Sequence, residues 1–432
     1  MANYFQKDTE CMSREDIKSL QEQRFLSQLN HVWNNVPYYK KKMEDLGLSI
    51  DDITGLKDLH KLPFLTKDDL KEAYPFGLFG VPKKDCVRIH STSGTTGKRV
   101  IAGYTQSDLD LWEDCCARAM VAAGASNEDV CQIAFGYGLF TGGMGINGGS
   151  HKLGCMTIPM SSGNTERQIQ FMIDMGTTFL CCTPSYAAYL AECLEEKNLL
   201  DKIQLRSGIF GAEPFTDELR NSLEKTLKIK AYDIYGLTEL SGPGVAYECS
   251  CQNGLHINED HFIAEIIDPD TYEVLPYGSK GELVITAITK KAFPLLRYRT
   301  KDICILDNSE CECGRTFVRM SKPMGRSDDM LIVKGVNVFP SQIETVLMQN
   351  NCSSNCQIVI DPVGNSEKIT VYVEMPSSGF SGKLSEITKL ESKLVRALRD
   401  MLGIKVNVRI VSARTIARTD HKAVKVIDNR NK

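Results

Sequence analysis

The chain has no run of apolar residues approaching the roughly 18 that a membrane-spanning helix needs, which excludes a helical membrane protein. Its opening, Met1-Ala2-Asn3-Tyr4-Phe5-Gln6-Lys7, carries no apolar stretch of the kind found in a secretory leader, so the expected compartment is the cytoplasm. Charge of one sign is also missing: 51 basic residues face 55 acidic ones, for a formal net charge of −4. That balance predicts neither a nucleic-acid partner nor a membrane surface. Internal repeats and low-complexity tracts are absent, which sets aside a repeat architecture.

What is present is ordinary apolar mass. With 432 residues, 42% of them hydrophobic and 25% charged, the chain can bury more than one core, so two or three domains are expected. The 16 cysteines are scattered, and several sit in apolar runs such as Phe179-Leu180-Cys181-Cys182 and Asp114-Cys115-Cys116-Ala117. Without a leader they read as reduced, buried thiols rather than a disulfide framework, with metal sites the exception to look for.

Ser13-Arg14-Glu15-Asp16 opens a helix as a capping box, continued by Ile17, Leu20, Leu26, Leu29, Trp33 and Val36. A turn-rich stretch through Leu62-Pro63 and Tyr74-Pro75 follows. To about residue 240, apolar or β-branched runs (132–135, 156–159, 178–181, 207–210) alternate with helical stretches such as 185–195 and 216–226. The alternation predicts an α/β domain with mostly parallel layered sheets, whose ligands bind at the C-terminal ends of the strands. Between about 250 and 325 the runs 262–267 and 281–286 flank a Pro/Asp/Gly-rich connection, as expected of a small antiparallel sheet or barrel. Beyond it comes an α+β module: a helix at 341–348 capped by Ser341 and Glu344, strands at 357–360 and 369–375, a helix at 384–402 and a strand at 406–411. The expected division is a large N-terminal domain, 1–325, and a small C-terminal one, 326–432.

One segment concentrates chemistry. Ser91-Thr92-Ser93-Gly94-Thr95-Thr96-Gly97-Lys98 lies between two expected strands, 86–89 and 100–104. Gly94 and Gly97 free the backbone to curl, hydroxyls and N–H groups can converge on an anion, and Lys98 adds a point charge. That suits the phosphates of ATP, although the Walker spacing is absent and the competing interpretation is a surface turn. Four further segments end or join elements. Gly211-Ala212-Glu213-Pro214 offers backbone to a flat ring, and Tyr235-Gly236-Leu237-Thr238-Glu239 offers an aromatic face, a hydroxyl and a carboxylate of the kind that Mg²⁺ takes. In Arg297-Tyr298-Arg299-Thr300-Lys301-Asp302 the acid can accept from both ribose hydroxyls, and Gly325-Arg326-Ser327-Asp328-Asp329 supplies a guanidinium at a domain junction. Singly, each is also what a loop, a strand end or an exposed charge cluster contains.

In this order and spacing the segments resemble the adenylate-forming enzymes, in particular the phenylacetate–coenzyme A ligase family. The resemblance runs from Val36-Pro37-Tyr38-Tyr39 to Lys422 and includes Phe135-Gly136-Tyr137-Gly138-Leu139-Phe140-Thr141-Gly142-Gly143 and Lys334-Gly335-Val336-Asn337-Val338-Phe339-Pro340. It implies that residues 91–98 form a mobile phosphate loop, that 211–214 border adenine with Tyr235 near its ring, and that Thr238 touches phosphate. It further implies Glu239 on Mg²⁺, Asp302 on ribose, Arg326 steadying the nucleotide, and Asp328 as the hinge of a mobile C-terminal domain. Rotation there would exchange Lys422, the catalytic lysine, for Lys334 and Gly335. The family usually has glycine before that lysine, where this chain has His421. Tyr137, Phe140, Gly142 and Gly143 are expected to shape a flat slot for the acid, or else to serve as core and turn residues.

The implied activity is ATP-dependent ligation of an aromatic acid to coenzyme A through an acyl-adenylate, with release of AMP and pyrophosphate, in a homodimer. Two alternatives are transfer of the acyl group to a carrier protein's pantetheine and a non-catalytic nucleotide sensor. A structural Zn²⁺ is also expected: Cys249-Ser250-Cys251, His256 and Cys311-Glu312-Cys313-Gly314 offer thiolates and an imidazole in fours. Cys249, His256, Cys311 and Cys313 are the positions that best match related sequences, with Cys251 as an alternate ligand.

Overall fold

A computed structural model describes residues 3–92, 99–327, 331–333, 336–353, 355–363, 366–375, 384–412, 415–416 and 426–430. Ser13 caps the first long helix, Arg14–Asn35, by accepting from the Asp16 N–H at 3.1 Å. Phe25, Leu29 and Val32 on this helix are buried against the large core. A hairpin of β1 (Arg88–Ser91) and β2 (Ile101–Tyr104) follows, about two residues later at its start than the sequence suggests.

The large domain is organised by one twelve-stranded sheet. Its parallel part holds β3 (Val130–Ile133), β4 (Met156–Ile158), β5 (Phe179–Cys182), β6 (Ser207–Gly211) and β7 (Lys230–Leu237). Every residue of β5 and β6 is buried: Leu180, Cys182 and Phe210 pack in the core of the helices Pro184–Glu196 and Asp217–Leu227, while Phe179, Cys181 and Ile209 join the core that holds Trp112, Cys116 and Ile146. Coverage on both faces explains why these strands read as unbroken apolar runs instead of alternating ones. The antiparallel part continues through β8 (Gly242–Glu248), β9 (Leu255–Ile257), β10 (Phe262–Ile267), β11 (Val274–Leu275), β12 (Lys280–Ala287), β13 (Tyr298–Asp307) and β14 (Arg319–Met320). The order is β11-β10-β12-β13-β14-β9-β8-β7-β6-β5-β3-β4. Of the two forms expected for the antiparallel region, the open sheet is the one found: it extends the parallel strands and does not close into a barrel.

The C-terminal domain holds a hairpin of β15 (Leu331–Val333) and β16 (Val336–Val338), then β17 (Cys356–Val363), β18 (Ser366–Glu374), β19 (Asn407–Val411) and β20 (Val426–Asp428). The last four form a separate sheet ordered β19-β18-β17-β20. The helix Leu384–Leu402 covers it with Leu394 and Leu398, and Ile358, Ile360, Ile369 and Val371 complete a core of its own. Burying such aliphatic side chains stabilises by about 1.5–3 kcal/mol each. The preceding helix is Pro340–Gln349, and its cap differs from the expected Ser341 and Glu344. Pro340 at the first turn fixes the start, and the Phe339 N–H donates to Gln342 Oε1 at 3.0 Å. This helix touches the large domain through Met348, whose sulfur lies 3.5 Å from Thr216 Oγ1, and through Gln349 on Glu218 at 3.2 Å.

Candidate active site

The parallel strands all end at one edge, and the connections that leave β3, β6 and β7 there carry the segments singled out in the sequence. After β6, Gly211 pairs with Ile234 of β7, and Ala212 takes a left-handed φ of 71° that turns the chain outward. Glu213 is committed: its Oε1 accepts from the Ser185 N–H at 2.6 Å, at the start of the helix Pro184–Glu196. Ala212 and Pro214 remain exposed. On β7, Tyr235 is buried and its hydroxyl donates to Asp302 Oδ2 at 2.6 Å. Burial, and next the Asp302 charge, push this phenol well above its ordinary pKa, so it remains a donor. Arg326 Nη1 donates to the other carboxylate oxygen of Asp302 at 3.0 Å, and the two backbones form an isolated bridge. Tyr235, Gly236, Asp302 and Arg326 are thus brought together.

Asp302 owes its aim to a bulge. Between Ile303 and Arg299 β13 advances four residues while its partner advances two, from Glu282 to Val284, and Lys301 takes φ 69°. At the start of the same strand, the Tyr298 hydroxyl donates to Glu239 Oε1 at 2.7 Å, with Glu239 itself buried. Thr238 Oγ1 lies 3.3 Å from Thr141 Oγ1, in the first turn of the helix Thr141–Leu153.

The hydroxyl-rich loop is described only at its base. The Ser91 N–H donates to Leu139 O at 2.9 Å, and Thr92 N–H to Val100 O at 3.1 Å, so both arms are pinned. Ser93, Gly94, Thr95, Thr96, Gly97 and Lys98 lie outside the described residues, as do Asp328, Lys334, Gly335 and Lys422. In the expected acid slot, Tyr137 donates to Asn147 Oδ1 at 3.2 Å and Phe140 is exposed. The two glycines face protein: a Cβ on Gly143 would meet Gly136 O at 2.8 Å, and one on Gly142 would meet the Phe140 ring at 2.5 Å. Backbone packing is what requires glycine at 143, whereas at 142 the exposed Phe140 ring is what would have to move.

A second cluster forms beyond the other end of β8. Cys249, His256, Cys311 and Cys313 are buried, with their ligating atoms all within 4.8 Å of one another. The sulfurs of Cys249 and Cys311 are 3.7 Å apart, and Cys313 Sγ is 3.4 Å from His256 Nε2. Around a tetrahedral Zn²⁺ these separations would be about 3.8 Å and about 3.6 Å, so both the donor set and the spacing fit. His256 Nδ1 donates to Phe317 O at 3.0 Å, which turns Nε2 toward the thiols. Cys251 is only partly buried and stands outside the set.

Tyr298 and Thr141 lie inside quoted motifs and Tyr104 ends an expected strand, but the sequence assigned none of them a task, and Lys290 falls in no motif.

The large domain matches the AMP-binding enzyme family over residues 51–288, and residues 335–430 match the AMP-binding enzyme C-terminal domain. A 2-hydroxyisobutyryl-CoA ligase in the postadenylation state superposes with a TM-score of 0.92 at 26% identity, covering 98% of this chain and 92% of that one. The same ligase in its thioesterification state gives 0.73 at 27% identity and the same coverage, so the postadenylation form superposes better. Fold and crevice therefore define an adenylate-forming enzyme. The phenylacetate-coenzyme A ligase of Pseudomonas putida is 43% identical over 424 residues, covering 98% of this chain and 96% of its own. The chain belongs to that ligase family and is an acid–thiol ligase: ATP activates a carboxylate as its acyl-adenylate, and coenzyme A then takes the acyl group.

Proposed function

We propose that the acid is phenylacetate or a similar aryl-acetic acid. The observation that carries this reading is the likeness, over nearly the whole length, to a phenylacetate-coenzyme A ligase. A carboxylate is a poor electrophile. Its attack on the α-phosphate of ATP, with loss of pyrophosphate, makes the carbonyl open to a thiolate. Most of the catalysis is positioning and charge neutralisation. Asp302, oriented by the Tyr235 hydroxyl and by Arg326, clasps the ribose hydroxyls. Residues 211–214 border the adenine, Thr238 donates to phosphate, and the loop 91–98 wraps the β- and γ-phosphates. Glu239 would hold Mg²⁺, which when bound supplies charge to the phosphate oxygens; the Tyr298 hydroxyl keeps that carboxylate in one orientation. Lys422 serves adenylation, and rotation at Asp328 exchanges it for Lys334 and Gly335, with the domain boundary at 325/326. Tyr137 and Phe140 contact the aryl group.

We assign a structural Zn²⁺ to Cys249, His256, Cys311 and Cys313, on the fit of donors and spacing. The enzyme is proposed to be a cytoplasmic homodimer; no helix among the described residues is long and apolar enough to cross a membrane.

Acid-dependent pyrophosphate release across aromatic and aliphatic acids tests the substrate: aryl-acetic acids should lead, and a clear preference for short aliphatic acids would overturn the assignment. Lys422→Ala should lose adenylation by about 100-fold or more while keeping thioester formation from preformed acyl-adenylate. Equal loss of both half-reactions would refute the exchange of lysines. Metal analysis of the purified protein decides zinc, with less than a few tenths of an equivalent and full activity counting against it.

A further inference from the structure

The turn that carries Thr238 and Glu239 is held from behind by three side-chain donors, each on a backbone carbonyl. Lys290 Nζ donates to Leu240 O at 2.6 Å. The Tyr104 hydroxyl donates to Thr238 O at 3.3 Å, and Trp112 Nε1 to Pro243 O at 2.8 Å, where β8 begins. The three side chains support one another. Tyr104 and Trp112 are stacked with ring centroids 5.2 Å apart, and Lys290 Nζ sits 3.9 Å from the centroid of the Tyr104 ring.

Of the three, Lys290 is the costly one. It is 2% exposed, and a buried ammonium is expensive unless charge is needed where it lies. Burial lowers the Lys290 pKa to about 7, while the carboxylates of Asp108 and Glu239 pull it back up. Asp108 already accepts from the backbone N–H groups of Lys291 and Ala292, at 2.7 and 2.9 Å. Glu239 is the carboxylate with chemistry to perform.

We infer that Lys290 is a positioning residue for adenylation: through Leu240 O and the Tyr104 platform it fixes the turn that carries Thr238 and Glu239, and so keeps the Glu239 carboxylate aimed at the triphosphate. This rests on the proposal that Glu239 serves the Mg²⁺ of ATP.

The test uses the full-length enzyme and follows acid-dependent pyrophosphate release against Mg²⁺ concentration at fixed ATP. Lys290→Met keeps the length of the side chain and removes the charge. It should raise the half-saturating Mg²⁺ and lower the adenylation kcat, by about 10- to 100-fold together, with the KM for the acid unchanged. Thioester formation from preformed acyl-adenylate should persist, and Lys290→Arg should restore part of the loss. Equal loss in both half-reactions with an unaltered Mg²⁺ dependence would reduce Lys290 to a packing role and overturn the inference. If Lys290→Met does not fold, Tyr104→Phe decides: loss of that hydroxyl should raise the half-saturating Mg²⁺ by roughly 3-fold, and no change rejects the platform. Glu239→Gln separates the two layers. If it leaves the Mg²⁺ dependence unmoved, the metal role of Glu239 fails; if it shifts that dependence and Lys290→Met does not, the Lys290 inference alone fails.

Discussion

The same two strands serve two sites of opposite chemical character. β8 leaves the turn that carries Glu239 and ends one residue before Cys249, and β13 opens at Tyr298 and runs on to the loop of Cys311 and Cys313. Tyr298 touches Glu239 at one end, and Cys311 faces Cys249 at the other. The seven residues of β8 span roughly 20 Å. Near the parallel strands the donors are carboxylate oxygens, hard ligands suited to Mg²⁺ and ribose hydroxyls. At the knuckle they are sulfur and imidazole, donors of the kind that suit the Zn²⁺ proposed there. An enzyme that must bind and release a nucleotide needs weak, exchangeable oxygen contacts at its crevice. A knuckle that ties separate loops together gains from ligands that do not let go.

The largest effect expected from breaking this division is at the knuckle. Cys313→Ser should release the proposed zinc and destabilise the protein by on the order of 3 kcal/mol, because binding of a structural metal there would be folding free energy. The loss reaches the N-terminus. The Arg315 guanidinium beside the knuckle donates to buried Glu10 at 2.7 Å, and the Tyr4 hydroxyl donates to Cys313 O. Thermal unfolding and metal content measure it. The half-saturating Mg²⁺ for pyrophosphate release should stay where it was in the molecules that remain folded. A shift there would mean that the two ends of β8 are coupled and would break the comparison.

The next effect lies at the crevice and should spare the knuckle. Tyr298→Phe removes only the hydroxyl that Glu239 Oε1 accepts. Burial and then the Glu239 charge hold this phenol well above its ordinary pKa, so it is a donor across the working pH range. Its loss frees the carboxylate to rotate and should raise the half-saturating Mg²⁺ about 10-fold, with zinc content unaltered. An unchanged Mg²⁺ response would show that the backbone alone orients Glu239.

How far the sequence could be read differs between these regions for physical reasons. The helix Leu384–Leu402 and strand β10 stand where the apolar pattern puts them, since each buries one clear face or run. The groupings of Tyr235 with Asp302 and Arg326, and of Cys249 with His256, Cys311 and Cys313, were legible through the resemblance and the order of the motifs, since singly each motif also suits a loop or a strand end. Lys290, Tyr104 and Thr141 were not, since what they do depends on which backbone carbonyl or hydroxyl the fold brings within 3.5 Å of them. The bulge at Lys301 was hidden for the same reason, because a lysine at positive φ carries no signature in composition. The open sheet escaped a definite prediction because strand order is a long-range property, and β14 consists of only two residues.

The smallest expected effect sharpens what singles out the knuckle as the proposed metal site. Cys131 and Cys181, on neighbouring strands β3 and β5, hold their sulfurs 3.8 Å apart, almost the separation of Cys249 and Cys311. Spacing alone therefore does not distinguish the pairs. What differs is the company: among the described residues, Cys249, His256, Cys311 and Cys313 form the only cluster of three or more candidate ligands, and the Cys131–Cys181 pair belongs to none. Burial raises the Cys181 thiol well above its ordinary pKa, with the neighbouring Cys131 thiol adding to the shift. Cys181→Ala should then leave metal content and Mg²⁺ dependence untouched and cost about 1 kcal/mol, the price of a cavity the size of one sulfur. A drop in bound metal in that variant would locate part of the zinc in the parallel sheet and would end the distinction between the two sulfur pairs.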